Sequence, residues 1–315
     1  MSNLAVIFPG QGSQSVGMLK DLSEKHPLII DIFKHASSIL GYDLWSLVSD
    51  GPAEQLNQTQ YTQPALLVAD YAVWKCYESL TDVRPTYLAG HSLGEYSALL
   101  CADVLSFEDA LDLVKTRAIA MSDAVPSGTG AMAAIIGLSD DAVLNLCQEV
   151  AHNEVLSPVN YNSISQVVIA GHKTAVMRAV DSAKSHGAKL AKLLPVSVPS
   201  HCQLMSPALE SLNECMQSKK WNNPKIPVIQ NFDVLSHSSI FDMQHSLLQQ
   251  LISPVRWVAT IEAMSQLGVT HLIECGPGKV LAGLIKRINN QLIVSTTQTN
   301  DELVSAINLC KEFQV

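Results

Sequence analysis

The sequence lacks several features that would each indicate a class of protein. Among its 315 residues, 20 lysines and arginines stand against 29 aspartates and glutamates, and the net charge of −9 leaves no basic run that could follow a phosphate backbone. No apolar stretch approaches the roughly 20 residues that span a bilayer. The seven cysteines include no C-x-x-C pair, and no basic segment precedes the first apolar run. We therefore predict a cytoplasmic protein with reduced thiols and with neither a nucleic-acid nor a membrane partner.

The composition indicates a well-packed globular protein. Hydrophobic residues make up 47% of the chain and charged residues 16%, which is the balance of an ordered fold rather than a disordered one. A chain of this length can form one core, or a large domain with a smaller insertion. We predict that it is a monomer.

The stretch YLAGHSLGEYSALL (residues 87–100) contains the clearest chemical motif. An apolar run leads into residues 90–94, which match G-x-S-x-G, and a helical pattern follows. Strand, sharp turn and helix in this order are typical of a nucleophile elbow, whose glycines let neighbouring segments approach where a Cβ would clash. Ser92 would then be a nucleophile at a helix N-terminus, where free N–H groups favour developing negative charge. The alternative is a serine that only caps the helix.

A second glycine-rich turn, PGQGSQ (residues 9–14), follows a buried-strand pattern at residues 4–8. It lacks the G-K-[ST] ending and the G-x-G-x-x-G spacing, so we do not predict a nucleotide site. An oxyanion hole of the α/β-hydrolase type needs one N–H from the residue after the nucleophile and another from a separate loop. Leu93 would supply the first and Gln11 the second. The alternative for residues 9–14 is a simple tight turn.

Arg117 lies on a predicted helix that begins after Ser106 and ends near Ala124. An arginine on a helix is most often solvated at the surface. The segment that follows it, AIAM (residues 118–121), is apolar, which indicates instead a guanidinium that points into the protein. A buried arginine needs an anionic partner, and a substrate carboxylate would fit that role.

The middle of the chain has the pattern of an inserted unit. After the glycine-containing segment 126–130, strands are predicted over residues 131–138, 157–161, 166–170 and 188–194, with helices over 140–151 and 173–186. The order β-α-β-β-α-β is that of a ferredoxin-like unit. We therefore predict a ferredoxin-like subdomain over residues 127–196 and a catalytic subdomain formed by residues 1–126 and 197–315.

The flanking segments continue an α/β pattern. Near the N-terminus, helices are predicted over residues 18–40, interrupted at Pro27, and over residues 63–77, beginning near Pro64. Towards the C-terminus, helices are predicted over residues 205–218, 243–252, 255–267, 279–288 and 301–313, and strands over 226–231, 271–275 and 292–296.

His201 is the candidate base for Ser92. It follows a proline-containing extended segment at the return from the inserted unit, where a lone histidine can equally be structural. No convincing acid completes a triad. Asp233 is the nearest candidate, and a backbone carbonyl could orient the imidazole instead. Such a dyad would be a weaker base, which suits transfer to a readily ionised thiol better than rapid hydrolysis.

Several motifs stand in order along the chain: PGQGSQ (9–14), QP (63–64), GHSLGE (90–95), GAMAA (130–134), PSH (199–201) and ECGPG (274–278). With these motifs the sequence resembles the bacterial malonyl-CoA:acyl carrier protein transacylases of type II fatty acid synthesis. The resemblance covers nearly all of the chain. It implies a large α/β-hydrolase-like subdomain with a parallel sheet and an inserted ferredoxin-like subdomain.

The resemblance also implies roles for the residues of the elbow and its surroundings. Ser92 would carry the malonyl group, and His201 would act first as base and then as acid. Backbone N–H groups of Gln11 and Leu93 would form the oxyanion hole. Leu93 directly after the serine is typical of members that select malonyl groups.

Further positions follow from the same resemblance. Arg117 would bind the malonyl carboxylate bidentately, which favours malonyl over acetyl groups. Gln250 matches the position whose backbone carbonyl orients the histidine, which leaves Asp233 without a catalytic role. The sequence departs from the family pattern at residues 230–233 (QNFD) and at Cys275. We interpret both departures as local packing changes that remove no chemical role.

The expected partners are malonyl-CoA as substrate and acyl carrier protein, with no cofactor. No metal is predicted, because His91 and Glu95 have i, i+4 spacing but no evident third ligand. Carrier proteins of this kind are acidic, so docking to an acidic chain requires a local basic patch. Its candidates are Lys189, Lys192, Lys286 and Arg287, although each can also be an ordinary solvated residue. The competing functions are a serine esterase or thioesterase, a carrier-binding module without catalysis, and a trans-acting acyltransferase of polyketide synthesis.

Overall fold

A computed structural model of the chain describes residues 3–196 and 198–312. Strands and helices alternate along most of it. In chain order the elements are β1 (Leu4–Phe8), α1 (Lys20–Lys25), α2 (Leu28–Leu40), α3 (Leu44–Asp50), α4 (Ala53–Leu56), α5 (Thr59–Leu80), β2 (Tyr87–Gly90), α6 (Leu93–Cys101), α7 (Phe107–Asp123), β3 (Gly130–Ile136), α8 (Asp140–Ala151), β4 (Leu156–Ser163), β5 (Gln166–His172), α9 (Lys173–Ala183), β6 (Leu190–Leu193), a 3₁₀ helix (Gln203–Ala208), α10 (Leu209–Gln217), β7 (Val228–Ile229), α11 (Ile240–Ile252), α12 (Trp257–Gln266), β8 (His271–Glu274), α13 (Val280–Ile288), β9 (Ile293–Thr296) and α14 (Asn300–Glu312).

The larger sheet is parallel throughout, with the strand order β7-β2-β1-β8-β9. Its central strand β1 has the sequence LAVIF, and all of these residues are buried. A strand without polar alternation is expected where helices cover both faces of a sheet. Phe8 on one face belongs to the main hydrophobic core, and Ile7 on the other belongs to a second core.

The chain turns sharply where β2 meets α6, and two glycines make that turn possible. A Cβ on Gly90 would lie 1.9 Å from the carbonyl carbon and oxygen of Gly94, and a Cβ on Gly94 would lie 2.1 Å from the carbonyl oxygen of Phe8. Because these neighbours are backbone atoms, they cannot move aside as a flexible side chain could. Helix α6 therefore packs directly against the ends of β1 and β2, and Ser92 emerges at the C-terminal edge of the sheet.

The smaller sheet is antiparallel, with the strand order β4-β5-β3-β6. Helices α8 and α9 contribute to a separate hydrophobic core with it. The chain is therefore an α/β protein with one parallel sheet and a separate small antiparallel sheet. The two parts are joined by backbone hydrogen bonds: Tyr161 N–H donates to the Val255 carbonyl at 3.0 Å, and Val255 N–H donates to the Val159 carbonyl at 2.9 Å.

Most predicted elements are present, and α8 has the predicted bounds. Its start is fixed by Ser139, whose hydroxyl accepts from Ala142 N–H, and Ser106 caps α7 in the same way. The predicted interruption at Pro27 is confirmed by the gap between α1 and α2. The helix predicted to begin near Pro64 begins instead at Thr59.

Two C-terminal predictions differ from the structure. The helix predicted over 205–218 is divided, because Pro207 lies in a 3₁₀ segment before α10 begins. The strand predicted over 226–231 is reduced to β7, because Gln230 and Asn231 leave the sheet and make side-chain contacts behind the elbow. Ser197, where the predicted C-terminal segment starts, and Phe313, the predicted end of the last helix, lie outside the described residues.

The close contact at Gly94 makes a stability prediction. We expect Gly94→Ala to lower the free energy of unfolding by roughly 2–4 kcal/mol, because the new methyl group overlaps the backbone of Phe8. Gly283→Ala is the matched control, since no atom apart from its chain neighbours and the adjacent backbone of α13 lies within 4 Å of the added Cβ. It should be neutral or stabilise by up to about 1 kcal/mol through helix propensity. Urea unfolding measures both, and equal midpoints would contradict the steric argument.

Candidate active site

Ser92 lies in a backbone conformation that non-glycine residues rarely adopt, with φ 54° and ψ −107°. The side chain of Asn231 holds this turn from both sides. Its Oδ1 accepts from the backbone N–H of Ser92 at 2.8 Å, and its Nδ2 donates to the carbonyl of Gly90 at 2.7 Å. A strained residue persists only where its surroundings over-determine it. This side-chain clamp and the close contacts of Gly90 and Gly94 provide that constraint.

His201 lies beside the serine, as expected of its base. Its Nε2 is 2.7 Å from Ser92 Oγ, and its Nδ1 is 2.6 Å from the backbone carbonyl of Gln250. Since a carbonyl can only accept, the proton of the neutral ring resides on Nδ1, and Nε2 is left to accept from the serine hydroxyl. Asp233 does not take part, because its carboxylate contacts His237 Nε2 at 2.7 Å.

The surroundings keep His201 uncharged in the resting site. The side chain is buried, with 3% of its surface exposed, and burial is the largest of the effects that together lower the pKa of His201 to about 3. The positive charge of Arg117 acts in the same direction, while the Gln250 carbonyl opposes the shift. A neutral imidazole is the form that can remove a proton from Ser92.

Arg117 points into the protein, as its apolar flank indicated, and only 1% of its surface is exposed. NH1 donates to Gln63 Oε1 at 2.7 Å, and NH2 donates to Gln250 Oε1 at 3.1 Å and to Ser92 Oγ at 3.3 Å. The guanidinium also lies 5.1 Å from the ring centroid of Tyr96. Within residues 3–196 and 198–312, no carboxylate forms an ion pair with it. The site therefore presents a buried cation beside the nucleophile.

A cavity of about 160 Å³ opens onto these groups. Gln11 and Leu93, the two candidates for the oxyanion hole, both border it. Leu93 is the first residue of α6, where backbone N–H groups have no partner within the helix. The predicted nucleophile, base, arginine and amide donors thus come from distant parts of the chain and meet at one cavity.

The cavity is also lined by residues for which the sequence predicted no role, among them Gln63, His91, Asn160 and Asn162. Asn162 Oδ1 lies 2.8 Å from His91 Nε2, so β4 of the small sheet contacts the elbow directly. The spacing of Asn160 and Asn162 was an available signal, because alternate residues of a strand share a face. The QP motif likewise marked Gln63 without revealing its contact with Arg117.

The remaining predictions concern metal sites, membrane helices and Cys275. No group of at least three His, Cys, Asp or Glu side chains that could hold a metal ion occurs in the described ranges. No helix among the described residues has the length and apolar content needed to cross a membrane. Cys275 is buried, and burial raises the pKa of its thiol well above the usual value, so it is not poised as a nucleophile.

The predicted basic residues are exposed and lie on the small sheet and on α13. Arg287 NH1 donates to Gln166 Oε1 at 2.8 Å, at the start of β5. In the small sheet, Ile136 pairs with Gln166 on one side and with Leu190 on the other, so Lys189 lies at the same end of the sheet as Arg287. Lys192 follows on β6, and Lys286 precedes Arg287 on α13.

The chain is similar in sequence to known proteins. The family model described as acyl transferase domain matches residues 6–301. The chain is 52% identical to the malonyl CoA-acyl carrier protein transacylase of Haemophilus influenzae, covering 100% of both chains, and 50% identical to that of Escherichia coli K12, covering 98% of this chain and 100% of the relative.

Solved structures agree with these relatives. An acyl carrier protein S-malonyltransferase from Vibrio cholerae has a TM-score of 0.94 at 53% identity, covering 96% of this chain and 99% of that chain. A malonyl-transacylase in complex with a type II polyketide synthase acyl-carrier protein has a TM-score of 0.96 at 48% identity, covering 97% of this chain and 99% of that chain.

The lowered pKa of His201 predicts an unusual pH dependence. A base loses activity as the pH falls through its pKa, so a histidine with the ordinary value of about 6.5 would lose about 30-fold in rate between pH 7.5 and 5. We expect the labelling of Ser92 by an uncharged fluorophosphonate to change by less than about threefold over that interval. His201→Ala, which removes the base, should label very slowly at each pH. A midpoint near pH 6.5 in the wild-type profile would contradict the assignment.

Proposed function

Since this chain belongs to the acyl transferase family, and within it to the malonyl CoA-acyl carrier protein transacylases, we infer that it transfers malonyl groups from malonyl-CoA to the thiol of acyl carrier protein. It is an enzyme of fatty acid biosynthesis. The structural observation that carries this proposal is the position of Arg117. It is a buried cation that forms no ion pair with any carboxylate in the described part of the chain, and its NH2 lies 3.3 Å from Ser92 Oγ.

The proposed first half-reaction begins with the hydrogen bond between Ser92 and His201. The Ser92 oxygen attacks the thioester carbon of malonyl-CoA as its proton moves to Nε2 of His201. The tetrahedral intermediate then collapses, the carbon–sulfur bond breaks, and the imidazolium returns the proton to the sulfur of CoA. Ser92 is left as its malonyl ester. Throughout, His201 Nδ1–H donates a hydrogen bond to the Gln250 carbonyl, so the ring keeps its orientation.

Two backbone groups would stabilise the negative charge of that intermediate. We assign this role to the backbone N–H groups of Leu93 and Gln11, because both residues border the cavity beside Ser92. The position of Leu93 at the start of α6 supports its part, because the dipole of the helix favours negative charge there. Removing one donor from such a hole typically costs about 100-fold or more in rate.

In the second half-reaction, the thiol of the carrier's phosphopantetheine takes the place of CoA. His201 accepts the proton of that thiol, the sulfur attacks the ester carbon, and Ser92 leaves with the proton. No metal or organic cofactor is needed for either half, because the serine, the imidazole and the amides supply the nucleophile, the proton carrier and the charge stabilisation. The reaction is therefore of the ping-pong type.

We propose that the carrier docks on the exposed basic residues of the small sheet and α13. Lys189 and Arg287 lie at one end of that sheet, with Lys192 and Lys286 next to them. None of the four forms an ion pair with a carboxylate in the described part of the chain. Their charges are therefore available to an acidic partner, although the whole chain carries a net charge of −9.

We further propose an α/β-hydrolase-like description for the larger part, residues 1–126 and 197–315, and a ferredoxin-like one for residues 127–196. The order β-α-β-β-α-β with sheet order β4-β5-β3-β6 supports the latter. That the chain acts as a monomer in the cytoplasm remains a prediction.

One alternative carrier has a specific observation in its favour. The similar malonyl-transacylase at 48% identity was solved with a type II polyketide synthase carrier protein. This chain could therefore serve a polyketide carrier with the same chemistry. Rates of discharge to a carrier of each kind distinguish the two, because the acylation step is common to both.

The central test is direct detection of the acyl-enzyme. After incubation with malonyl-CoA, mass spectrometry of the digested wild-type protein should find malonate on Ser92, and added carrier protein should remove it. Ser92→Ala is the control and should remain unmodified. Loss of the ester at the same rate without carrier would indicate a thioesterase, and a wild-type protein that never becomes modified would indicate a binding module.

A second test concerns selectivity. Arg117→Met should lower kcat/KM for malonyl-CoA by about 10- to 100-fold, because a charge-assisted bidentate contact is lost. Acetyl-CoA, which has no carboxylate, should react as well as before or better. Arg178→Met is a matched control, since Arg178 pairs with Glu154 and does not border the cavity. An equal fall for both substrates would exclude the carboxylate clamp.

A further inference from the structure

Glu95 is a fully buried carboxylate directly behind the nucleophile. It lies on α6 three residues after Ser92, and none of its surface is exposed. Its Oε1 accepts from Gln230 Nε2 at 2.9 Å, while its Oε2 accepts from the backbone N–H of Asn231 at 2.8 Å and from Gln250 Nε2 at 2.9 Å. All three partners are donors, so the geometry requires both carboxylate oxygens to act as acceptors, as they do in the ionised form.

Two of these partners hold the reacting groups. Asn231 clamps the backbone of Ser92 through its side chain, as described above. Gln250 orients His201 through its backbone carbonyl and contacts Arg117 through its amide oxygen. One carboxylate thus connects to the nucleophile, the base and the arginine, in each case through a single intervening residue.

The accepting oxygen Oε2 of Glu95 also decides which way the Gln250 amide points. Burial raises the pKa of Glu95, and its three hydrogen-bond donors oppose that shift. Gln250 Nε2 donates both to Glu95 Oε2 and to the backbone carbonyl of Ser92 at 3.1 Å. With the nitrogen fixed on that side, the amide oxygen faces Arg117 NH2. If the amide were reversed, its NH₂ group would face a guanidinium that has only donors, which is an unfavourable contact in a buried site.

We propose that Glu95 is a positioning residue that sets the geometry of Ser92, His201 and Arg117 together, through Asn231 and Gln250. This inference rests on the proposed function and extends it. Glu95 touches neither substrate nor reacting atoms. Its effect is on both the reactivity of the serine and the preference for a charged acyl group, which a residue with only a stabilising role would not alter.

The test uses Glu95→Gln, which keeps the size of the side chain and replaces one accepting oxygen with a donor. Glu274→Gln is the matched control. Glu274 is also fully buried, and it accepts from the backbone N–H groups of Leu281 and Ala282 at 3.0 and 2.7 Å, away from Gln250 and Asn231. Both variants lose a buried carboxylate that accepts hydrogen bonds, so a comparison separates positioning from stability.

Two readouts are measured on each full-length protein. The first is the rate at which an uncharged fluorophosphonate labels Ser92, and the second is the ratio of kcat/KM for malonyl-CoA to that for acetyl-CoA. In Glu95→Gln we expect both to fall by at least about tenfold, whereas Glu274→Gln should stay within about threefold of the wild type in both. Circular dichroism and thermal melts establish that each variant is folded.

If Glu95→Gln does not fold, Gln250→Met tests the same connection, because it retains the backbone carbonyl that orients His201 and removes only the amide. A tenfold loss of malonyl preference would then support the proposal, and an unchanged preference would overturn it. Wild-type rates in a folded Glu95→Gln, or equal losses in Glu274→Gln, would also overturn it. Failure of the wild-type protein itself to become malonylated would contradict the proposed function instead.

Discussion

The left-handed backbone of Ser92 is the constraint on which the rest of the site depends. An L-residue does not hold φ 54° unless its neighbours impose it, and here they do so with backbone contacts at Gly90 and Gly94 and with the side chain of Asn231. The consequence is that Ser92 projects from the edge of the sheet while α6 begins immediately behind it. The same helix carries Glu95 back into the protein, so the nucleophile and the anchor of its surroundings share one rigid element.

A carbonyl takes the place that a carboxylate has in a serine triad, and this alters the energetics of the base. The Gln250 carbonyl fixes the tautomer of His201 but adds no full negative charge beside it. Burial and the charge of Arg117 both disfavour the imidazolium, which explains the direction in which the pKa is displaced. In the proposed mechanism, the resting site therefore pairs Ser92 with a base that is well oriented but electrostatically weak.

Local sequence was sufficient for the parts of this site that depend on short-range geometry. The elbow glycines, the caps at Ser106 and Ser139 and the β-α-β-β-α-β succession of residues 130–193 along the chain all follow from patterns within a few residues, and the structure contains them. The contacts that hold the site in place were not predictable from local patterns. The hydrogen bond between Ser92 N–H and the Asn231 side chain joins residues 139 positions apart, and no pattern in either segment encodes that pairing. The early end of β7 was likewise not predictable from local patterns, because Gln230 and Asn231 leave the sheet to donate hydrogen bonds to Glu95.

Selectivity and catalysis are coupled in this arrangement. Burial is the main cause of the lowered pKa of His201, and the cation that would attract the acyl carboxylate adds to it. Arg117 NH2 lies 3.3 Å from Ser92 Oγ, the oxygen that His201 would deprotonate. A malonyl carboxylate bound to Arg117, as proposed above, would neutralise the positive charge near the imidazole and raise the pKa of His201, while burial would still hold that pKa below its ordinary value. An acetyl group brings no such charge, so it would meet both a vacant clamp and a weaker base. Discrimination between the two acyl groups therefore includes the protonation step as well as binding, which is the differential stabilisation that raises turnover rather than affinity alone.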